Sequence, residues 1–443
     1  MMQRIDLRDG LPARADLLRL MPRATGDVAS ATAAARMLVD DVRSRGAGAL
    51  REQAERFDGG APESLRVPAA DIAAAVDGLA PDVRAALEEA IRRVRSASAA
   101  QVPPPAVTTL ADGAEVHQRW QPVRRVGLYV PGGKAVYPSS VVMNVVPAQI
   151  AGVRSIALVS PPQRDHDHRV HPTILGAAGL LGIDEVYAMG GAGAVGALAH
   201  GVADIDGQGT DLEPVDLITG PGNNYVAAAK RLVRGVVGID SEAGATEILV
   251  IADEAADPAF VAADLISQAE HDEQAGSVLV TTSASFADAV EAAIPDRVAA
   301  LRTAVRLQTA LDGPQSAIVL VASLADAATV SNAYGPEHLE IQTADDDAVL
   351  ADIDAAGAVF VGQHAPVSLG DYLAGSNHVL PTGGQARFGS GLSASTFLRP
   401  QQIVRYTAAA LAEVGPRIVA LAEEEQLPAH GAAVTERLER TSR

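Results

Sequence analysis

The chain has 443 residues, no cysteine, and 55 acidic against 35 basic residues, which gives a formal net charge of −20. At about 150 residues per domain, this length predicts two to four domains. Without cysteine the chain has no disulfide, thiolate metal site or cysteine nucleophile, so it cannot oxidise an aldehyde through a thiohemiacetal. The acidic balance argues against nucleic acid or an anionic membrane as a partner, because binding phosphate groups requires lysine and arginine.

Neither the start of the chain nor its apolar stretches indicate a membrane segment. The first ten residues include several charges, and no apolar run of a signal peptide follows them. The longest uncharged stretches, 135–153 and 186–203, are interrupted by proline, asparagine and glutamine or by several glycines. Neither is typical of a membrane-spanning helix. We therefore expect a cytoplasmic protein without a membrane partner.

The predicted elements change in character along the chain. Residues 1–25 are expected to form a small separate segment, and 26–100 show the helical spacing of apolar residues. From residue 124, strands alternate with helices, which is typical of parallel sheets with right-handed crossovers. The predicted strands are 126–130, 155–160, 185–189, 215–219 and 236–240 in a first unit, and 247–251, 277–281, 317–321 and 358–361 in a second. Residues 393–443 are expected to form a mainly helical tail.

Three glycine-rich turns follow predicted strands of the first unit. They lie at 131–133, 190–196 and 220–223. In a parallel sheet these turns share the carboxyl edge, where ligands of open α/β sheets bind. Glycine lets backbone amides approach a phosphate, and a following helix N-terminus favours negative charge. Nucleotide contacts are therefore expected on this edge.

One of these turns matches the dinucleotide fingerprint formally. Gly191, Gly193 and Gly196 have the spacing G-x-G-x-x-G after a strand, and the acid expected about 20 residues later would be Asp216. Asp216 falls at the start of its strand rather than at the end. The motif therefore favours close packing of a helix by small residues over standard Rossmann binding.

Four clusters carry side chains suited to metal binding or acid–base chemistry. They are Gln268 with His271, Glu337 with His338, Asp371 with His378, and Glu425 with His430. Each has an ordinary structural explanation when taken alone. Together, in a chain without cysteine, they favour a transition metal with nitrogen and oxygen ligands, such as zinc or manganese. A denser cluster at 165–171 is interpreted as a solvated loop.

These clusters, in this order, resemble the histidinol dehydrogenase family over nearly the whole chain. The segments that carry the resemblance are 127–133, 220–223, 268–271, 336–340, 370–372 and 377–382. The resemblance implies oxidation of L-histidinol to L-histidine in two NAD-dependent steps through bound histidinaldehyde. It also implies a homodimer with one zinc ion per subunit and a C-terminal tail exchanged between protomers.

The resemblance further implies roles for individual residues. The implied zinc ligands are Gln268, His271, Asp371 and His430, the last from the exchanged tail. The substrate is expected to meet these four ligands and also Thr246, His338, His378 and Glu425. The NAD contacts are expected at Tyr129, Gly193 and Asn223. The expected catalytic pair is Glu337 and His338.

The expected organisation is an α/β protein with two Rossmann-like parallel-sheet domains. A discontinuous first domain would combine 26–125 with 248–392, and 126–247 would form a second domain with the NAD turns. A small N-terminal segment, 1–25, and the exchanged tail, 393–443, would complete the chain.

Three positions depart from the family pattern. The family commonly has glutamine, which contacts NAD, where this chain has Gly193, so only a backbone contact is expected there. It commonly has Pro-Ser-Glu where this chain has Ala245-Thr246-Glu247, which retains a hydroxyl. Residues 204–214 form a longer segment than usual near the cofactor turns.

The chemistry of the residues agrees with such an oxidation. Neutral imidazole suits the removal of a hydroxyl proton, which gives His338 the role of base. Because a thiohemiacetal is excluded, the second oxidation needs a hydrated aldehyde, and Glu337 is the candidate to activate the water. The alternatives are a relative that oxidises a sulfonated diol, a zinc hydrolase with Glu337 as general base, and a non-catalytic zinc protein.

Overall fold

The computed structural model describes residues 2–24, 28–132 and 135–441. Gly133 of the first predicted glycine turn therefore lies outside the described residues. The strands are β1 (Gln3–Asp6), β2 (Ala106–Ala111), β3 (Ala114–Pro122), β4 (Arg125–Tyr129), β5 (Ser155–Ser160), β6 (Val186–Ala188), β7 (Leu217–Thr219), β8 (Gly238–Ile239), β9 (Glu247–Ala252), β10 (Gly276–Thr281), β11 (Ala317–Leu320), β12 (His338–Gln342), β13 (Ala358–Val361) and β14 (Leu398–Tyr406). The α-helices are α1 (Arg14–Leu20), α2 (Val28–Arg45), α3 (Ala47–Phe57), α4 (Ala69–Asp77), α5 (Pro81–Ala99), α6 (Pro138–Ala151), α7 (Pro172–Leu180), α8 (Gly191–His200), α9 (Asn224–Val233), α10 (Pro258–Ala269), α11 (Ala284–Ala299), α12 (Ala304–Leu311), α13 (Leu324–Tyr334), α14 (Asp346–Leu350), α15 (Val367–Tyr372), α16 (Ala408–Glu424) and α17 (Pro428–Thr441).

Two parallel sheets organise the chain, as the strand–helix alternation predicts. The six-stranded sheet has the order β1-β11-β10-β9-β12-β13, and the five-stranded sheet has the order β6-β5-β4-β7-β8. All pairings within these two sheets are parallel. In each sheet five consecutive strands have the order 3-2-1-4-5 of a Rossmann-like unit, which confirms the predicted fold class.

The central strands are apolar because helices cover both of their faces. All six residues of β9 and all six of β10 are buried, and most of them are Val, Ile, Leu or Ala. A strand with only one covered face would alternate apolar and polar residues instead. The two parallel sheets therefore lie at the centres of the hydrophobic cores.

The structure corrects the expected grouping of the helical region 26–125. Helix α2 packs against α8 and α9, α4 packs against α7, and α5 packs against α6. The apolar faces of these helices, which include Val39 and Leu87, join the cores around the five-stranded sheet. The helices between residues 28 and 99 therefore pack with 126–247 and not with 248–392. Sequence order misled the prediction, because an amphipathic helix does not indicate which sheet it will cover.

Of the two ends of the chain, only the N-terminal one differs from expectation. Residues 1–25 are not a separate segment, because β1 pairs with β11 as the edge strand of the six-stranded sheet. The tail begins with β14, which pairs antiparallel with β3 in a three-stranded sheet completed by β2. The rest of the tail consists mostly of α16 and α17, which pack against each other as a hairpin, so the expected mainly helical character is confirmed in the described part of the tail.

No helix within the described ranges combines the length and the apolar character needed to cross a membrane.

Candidate active site

The predicted acid–base pair lies at the amino end of β12. Gly335, with φ +57°, ends α13 in the left-handed conformation, and Pro336 leads directly into the strand. Glu337 is only 6% exposed. Its Oε2 accepts hydrogen bonds from Thr246 Oγ1 at 2.5 Å and from the backbone N–H of Glu247 at 3.0 Å. Burial raises the pKa of this carboxyl to about 8.

His338 is oriented by the backbone of the neighbouring strand. Its Nδ1 lies 3.3 Å from the carbonyl oxygen of Glu247 and 3.6 Å from Oε2 of Glu337. Burial lowers the pKa of the imidazole, which therefore stays neutral near pH 7. Because a carbonyl oxygen can only accept, Nδ1 carries the proton and donates. This tautomer leaves Nε2 as an acceptor, the state that a general base requires.

Gln268 lies beside this pair at the end of α10, where its side chain is buried. Its Nε2 donates to Thr246 Oγ1 at 2.6 Å, so the threonine hydroxyl links the amide to Glu337. The other amide atom, Oε1, is buried without a hydrogen-bond partner among the described residues. An unpaired buried carbonyl oxygen is costly in a folded chain. A ligand facing Gln268 would remove that cost.

His271 and Asp371 meet next to Gln268. His271 Nε2 lies 3.8 Å from Asp371 Oδ2, although one residue follows α10 and the other lies on α15. The second carboxylate oxygen, Oδ1, lies 3.8 Å from Nδ1 of His378. The fold therefore brings together two of the four predicted zinc ligands, His271 and Asp371, and a third, Gln268, lies one helical turn before His271.

The chemistry of these three side chains fits a zinc ion. They offer an unpaired amide oxygen, an imidazole and a carboxylate, and zinc accepts nitrogen and oxygen ligands. Across the described ranges, no three side chains of the types His, Cys, Asp and Glu converge on one point. That result agrees with this donor set, in which one of the three donors is an amide and the predicted fourth lies elsewhere.

Glu425 and His430, the two predicted site residues of the tail, are not brought to the site within one chain. Both are exposed on the helical hairpin, Glu425 just after α16 and His430 within α17. The two helices pack on each other and make at most slight contact with other elements.

His378 connects the two α/β units. Its Nδ1 lies 3.0 Å from the carbonyl oxygen of Asp371, and its Nε2 lies 3.0 Å from Oγ of Ser140 at the start of α6. The neighbouring Asn377 donates to the carbonyl oxygen of Met143 in the same helix at 2.7 Å. Burial lowers the pKa of His378. This residue therefore links the first turn of α6, which follows the first glycine turn, to Asp371, one of the predicted zinc ligands.

The predicted cofactor residues lie at the carboxyl edge of the five-stranded sheet, as expected. Tyr129 ends β4, and its buried hydroxyl accepts a hydrogen bond of 3.1 Å from the backbone N–H of Gly191. Burial raises the pKa of Tyr129 to about 12, so the hydroxyl stays neutral. Gly191 has φ +61°, and a Cβ there would meet open space. The turn at Gly191 is thus held by Tyr129 on one side and has open space on the other.

Asn223 and the turn before it are held in a similar way. Asn223 begins α9, and its Oδ1 accepts hydrogen bonds from the N–H groups of Tyr225 and Val226 at 3.0 and 3.2 Å. Buried Lys230 pairs with Asp240 and donates to the carbonyl oxygen of Gly220 at 3.0 Å. These contacts support the backbone of the turn and leave its outer face available to a ligand.

The fingerprint glycines serve helix packing, in agreement with the sequence interpretation. The motif follows β6, the third strand of its unit, whereas the dinucleotide fingerprint follows the first. A Cβ at Gly196 would lie 3.2 Å from Cα of Val39 on α2. A Cβ at Gly193 would lie 2.2 Å from Oε1 of Gln53 on α3, so the Gln53 amide occupies the space of a side chain at position 193. No sequence motif pointed to Gln53.

Two surface loops stay outside the site. The histidine-rich loop at 165–171 is largely exposed, and His171 caps α7 by accepting from the N–H of Thr173 at 3.2 Å. In the long segment 204–214, the carboxylates of Asp204, Asp206 and Asp211 accept hydrogen bonds from backbone N–H groups of the same loop. The segment 204–214 uses its carboxylates to stabilise its own backbone, whereas His171 caps the helix that follows its loop.

A polar network around Glu247, next to Glu337, was not predicted from the sequence. Arg23, between α1 and α2, donates to Glu247 at the start of β9, and Tyr334 at the end of α13 donates to the same carboxylate. A buried acid next to the predicted Thr246 was the only available signal. No local pattern indicated the partners of Glu247, because Arg23 and Tyr334 lie 224 and 87 residues away along the chain.

Comparison with known proteins gives a consistent result. The family model described as histidinol dehydrogenase matches residues 21–438. A histidinol dehydrogenase of Leifsonia xyli subsp. xyli is 68% identical over 438 residues, which cover 99% of each chain. One from Nocardia farcinica is 58% identical over 439 residues, covering 99% of this chain and 98% of that protein.

A solved structure agrees with the sequence relatives. The crystal structure of histidinol dehydrogenase from Elizabethkingia anophelis superposes with a TM-score of 0.90 at 32% identity. The match covers 100% of this chain and 99% of that chain. The agreement therefore includes both parallel sheets and the tail.

Proposed function

The chain belongs to the histidinol dehydrogenase family, whose members are NAD-dependent oxidoreductases of histidine biosynthesis, and we propose the course of its reaction from the site. The proposed reaction is oxidation of L-histidinol to L-histidine through bound L-histidinaldehyde, with reduction of two NAD. The observation that carries it is a neutral imidazole and a buried carboxyl side by side, next to an unpaired amide oxygen, an imidazole and a carboxylate.

The proposed zinc site consists of Gln268, His271 and Asp371 together with His430 of the partner subunit. When bound, the zinc ion supplies orientation of the substrate through its imidazole and amino nitrogens, which zinc accepts well. Correct orientation of reacting groups lowers a barrier by roughly 7–11 kcal/mol in favourable cases. Thr246 contributes to the same end by holding the Gln268 amide in place at 2.6 Å.

In the first oxidation, His338 removes the proton of the substrate hydroxyl, and a bound NAD would accept the hydride. The hydrogen bond of its Nδ1 to the Glu247 carbonyl keeps Nε2 unprotonated for that task. Because His338 is buried, the proton is held away from bulk water until it is released.

In the second oxidation, Glu337 accepts a proton from the water that hydrates the aldehyde. Glu337 Oε2 is held by two donors, so the carboxylate is fixed in orientation. As the water adds, the protonated His338 gives the proton taken in the first oxidation to the aldehyde oxygen, so the imidazole is neutral again. It can then remove a hydroxyl proton of the hydrate, and a second bound NAD would accept the hydride. The two residues thereby divide the proton transfers of the reaction between them.

NAD is proposed to lie at the carboxyl edge of the five-stranded sheet, against Tyr129, Asn223 and the backbone near Gly193. Gly191 supports this placement, because its backbone has open space beside it. The Tyr129 hydroxyl and the Asn223 side chain already hold the two turns in shape. The Gln53 amide supplies a polar group where a side chain at position 193 would lie.

A homodimer with exchanged tails is proposed to complete each site with Glu425 and His430. The hairpin of α16 and α17 supports this, because it packs on itself rather than on the core of its own chain. Leu421 is 66% exposed and Leu427 is 42% exposed on that hairpin. Apolar side chains exposed together in this way are typical of a surface covered by a partner. We expect such a dimer to work in the cytoplasm.

The test is the stoichiometry of NADH formed per L-histidinol by the purified, zinc-loaded protein. Two NADH per substrate, with L-histidine as the product, is the expected result. One NADH per substrate would restrict the activity to the alcohol step. No absorbance change with histidinol, but turnover of a sulfonated diol or of an amide, would favour one of the alternative functions.

A further inference from the structure

Glu247 contacts both catalytic side chains through its backbone. Its N–H donates to Glu337 Oε2 at 3.0 Å, and its carbonyl oxygen accepts from His338 Nδ1 at 3.3 Å. A small shift of this one residue therefore changes the orientation of the carboxylate and of the imidazole together.

The side chain of Glu247 is anchored from three directions. Arg23 Nη1 donates to both carboxylate oxygens, at 2.9 and 3.0 Å, and the Tyr334 hydroxyl donates at 3.1 Å. The N–H of Gly384 lies 3.4 Å from Oε1. The Arg23 guanidinium also stacks on the Tyr334 ring, 3.9 Å from its centre. The anchors thus come from the N-terminal segment, α13 and the loop after α15.

The anchoring is stronger than the stability of the sheet requires. Glu247 is only 4% exposed, and burying a carboxylate is costly unless it is paired and hydrogen-bonded. An apolar residue would fill the first position of a central strand without that cost. A buried ion pair at this position is explained if its geometry matters more than its contribution to stability.

We propose that Glu247 is the positioning residue for the Glu337–His338 pair, and that Arg23 and Tyr334 hold it in place. The inference rests on the proposed function, because it assumes that Glu337 activates water in the second oxidation. None of the three side chains needs to touch the substrate. They act through the backbone of β9, which carries both catalytic contacts.

The test measures how bound histidinaldehyde partitions between release and oxidation to histidine. This ratio does not depend on the fraction of folded enzyme, so a merely structural defect leaves it unchanged. Both catalytic residues act in the second step, whereas only His338 acts in the first. Loosening Glu247 should therefore increase the released aldehyde, trapped with a hydrazine, relative to histidine.

The informative variants are Arg23→Met, Arg23→Lys and Tyr334→Phe. We expect a fall in kcat of about 10-fold or more for Arg23→Met, since misplacement by 1 Å can lower a rate by about 100-fold. Its aldehyde fraction should rise, while the KM for histidinol stays near the wild-type value. Both hydrogen bonds of Arg23 come from Nη1, so the single ammonium of Arg23→Lys should restore most of the wild-type ratio. Tyr334→Phe removes one bond and should give an intermediate ratio.

Arg125→Met is the matched control. Arg125 is likewise an arginine paired with a glutamate, Glu185, and its side chain is more deeply buried than that of Arg23, but it lies at the start of β4 in the other sheet. Its loss should lower thermal stability without changing the partition ratio. An equal rise in released aldehyde for Arg125→Met would overturn the proposal.

Glu337→Gln in the same assay separates the two levels of inference. If Glu337→Gln leaves the ratio unchanged, the proposed role of Glu337 is wrong. Suppose that Glu337→Gln raises the aldehyde fraction but that Arg23→Lys and Tyr334→Phe both match the wild type. The positioning proposal then stands only if Arg23→Met, shown to be folded by circular dichroism, raises the aldehyde fraction. The positioning proposal would be overturned if both Tyr334→Phe and Arg23→Met had the wild-type ratio. If Arg23→Met does not fold, a wild-type ratio in Tyr334→Phe alone would overturn it.

Discussion

The hydroxyl of Thr246 donates a hydrogen bond of 2.5 Å to the carboxylate of Glu337. The same oxygen accepts from Gln268 Nε2 at 2.6 Å, so a single side chain joins a proposed zinc ligand to the proposed water-activating group. Because the bond to Glu337 lowers the pKa of that carboxyl, the hydroxyl also favours its ionised form.

Replacing Thr246 should uncouple these two groups. In Thr246→Val the Gln268 amide loses its partner and Glu337 loses one of its two donors, at similar side-chain volume. We expect kcat to fall by about 10-fold or more, because a hydrogen bond to a charged group contributes about 1.5–3 kcal/mol. Thr246→Ser keeps the hydroxyl and should stay near the wild-type rate. Equal activity of the valine and serine variants would show that the hydroxyl has no such role.

Glu337→Gln should spare the first oxidation and block the second. The amide retains the shape and can accept the bonds from Thr246 and Glu247, but it cannot take a proton from water. Single-turnover measurements with histidinol and with histidinaldehyde would resolve the two steps. In the wild type, the second step should accelerate as the pH rises toward about 8, the pKa of the buried carboxyl. Formation of histidine at the wild-type rate by the variant would contradict the assignment.

His430→Ala should lower the zinc content of the purified protein. The expectation follows from the exposed position of His430 on a hairpin that does not pack on its own core. Metal analysis after dialysis is the direct measurement. Mixing His430→Ala chains with His271→Ala chains should restore activity at about one site in each mixed dimer, because one of its two sites receives all four ligands. Mixed dimers without activity would count against exchange of the tails.

Two glycines of the same helix should respond differently to alanine. At Gly196 the added Cβ would lie 3.2 Å from a backbone atom of Val39, so α2 and α8 must separate. At Gly193 the obstacle is Oε1 at the end of the flexible Gln53 side chain, which can move aside. We expect Gly196→Ala to lower the free energy of unfolding by about 1–3 kcal/mol. Gly193→Ala should lower the free energy of unfolding by less. Urea denaturation measures both values, and a larger loss in Gly193→Ala than in Gly196→Ala would contradict the packing role.

The carboxyl pair of Asp264 and Glu340 should make stability depend on pH. Both are buried between α10 and β12, they hydrogen-bond to each other, and burial raises the pKa of each. The native pair therefore retains a proton that the unfolded chain loses above about pH 4. Since the native state binds more protons, the free energy of unfolding falls as pH rises, by up to about 1.4 kcal/mol per pH unit.

Glu340→Gln removes the titrating proton while keeping the shape of the side chain. Gln342 Nε2, which donates to Asp264 at 3.1 Å and to Glu340 at 3.3 Å, keeps an acceptor in each partner. Urea denaturation at several pH values from 5 to 8 should give a flatter profile for the variant than for the wild type. Parallel profiles would mean that the pair does not titrate in this range.

Local sequence patterns were sufficient to predict most elements of the two parallel sheets. The strands at 155–160 and 358–361 agree with the structure to the residue, because apolar β-branched runs bounded by turns define them locally. Strand β12 was missed, since Glu337, His338 and Glu340 interrupt its apolar pattern with groups that are buried for other reasons. The strand next to the proposed catalytic pair was therefore not predicted from its local pattern.

The identity of the polar clusters was determined by the sequence, because residue type and spacing are local properties. Their convergence was decided by the tertiary structure. The proposed catalytic pair lies at the amino end of β12 in the six-stranded sheet, whereas the glycine turns lie at the carboxyl edge of the five-stranded sheet. Helix α10 follows β9 and runs antiparallel to it, so Gln268 at its C-terminal end lies near the amino ends of the strands. Only such long-range packing, which no local pattern encodes, could place Arg23 and Tyr334 on Glu247 or bring the helices of 28–99 onto the five-stranded sheet.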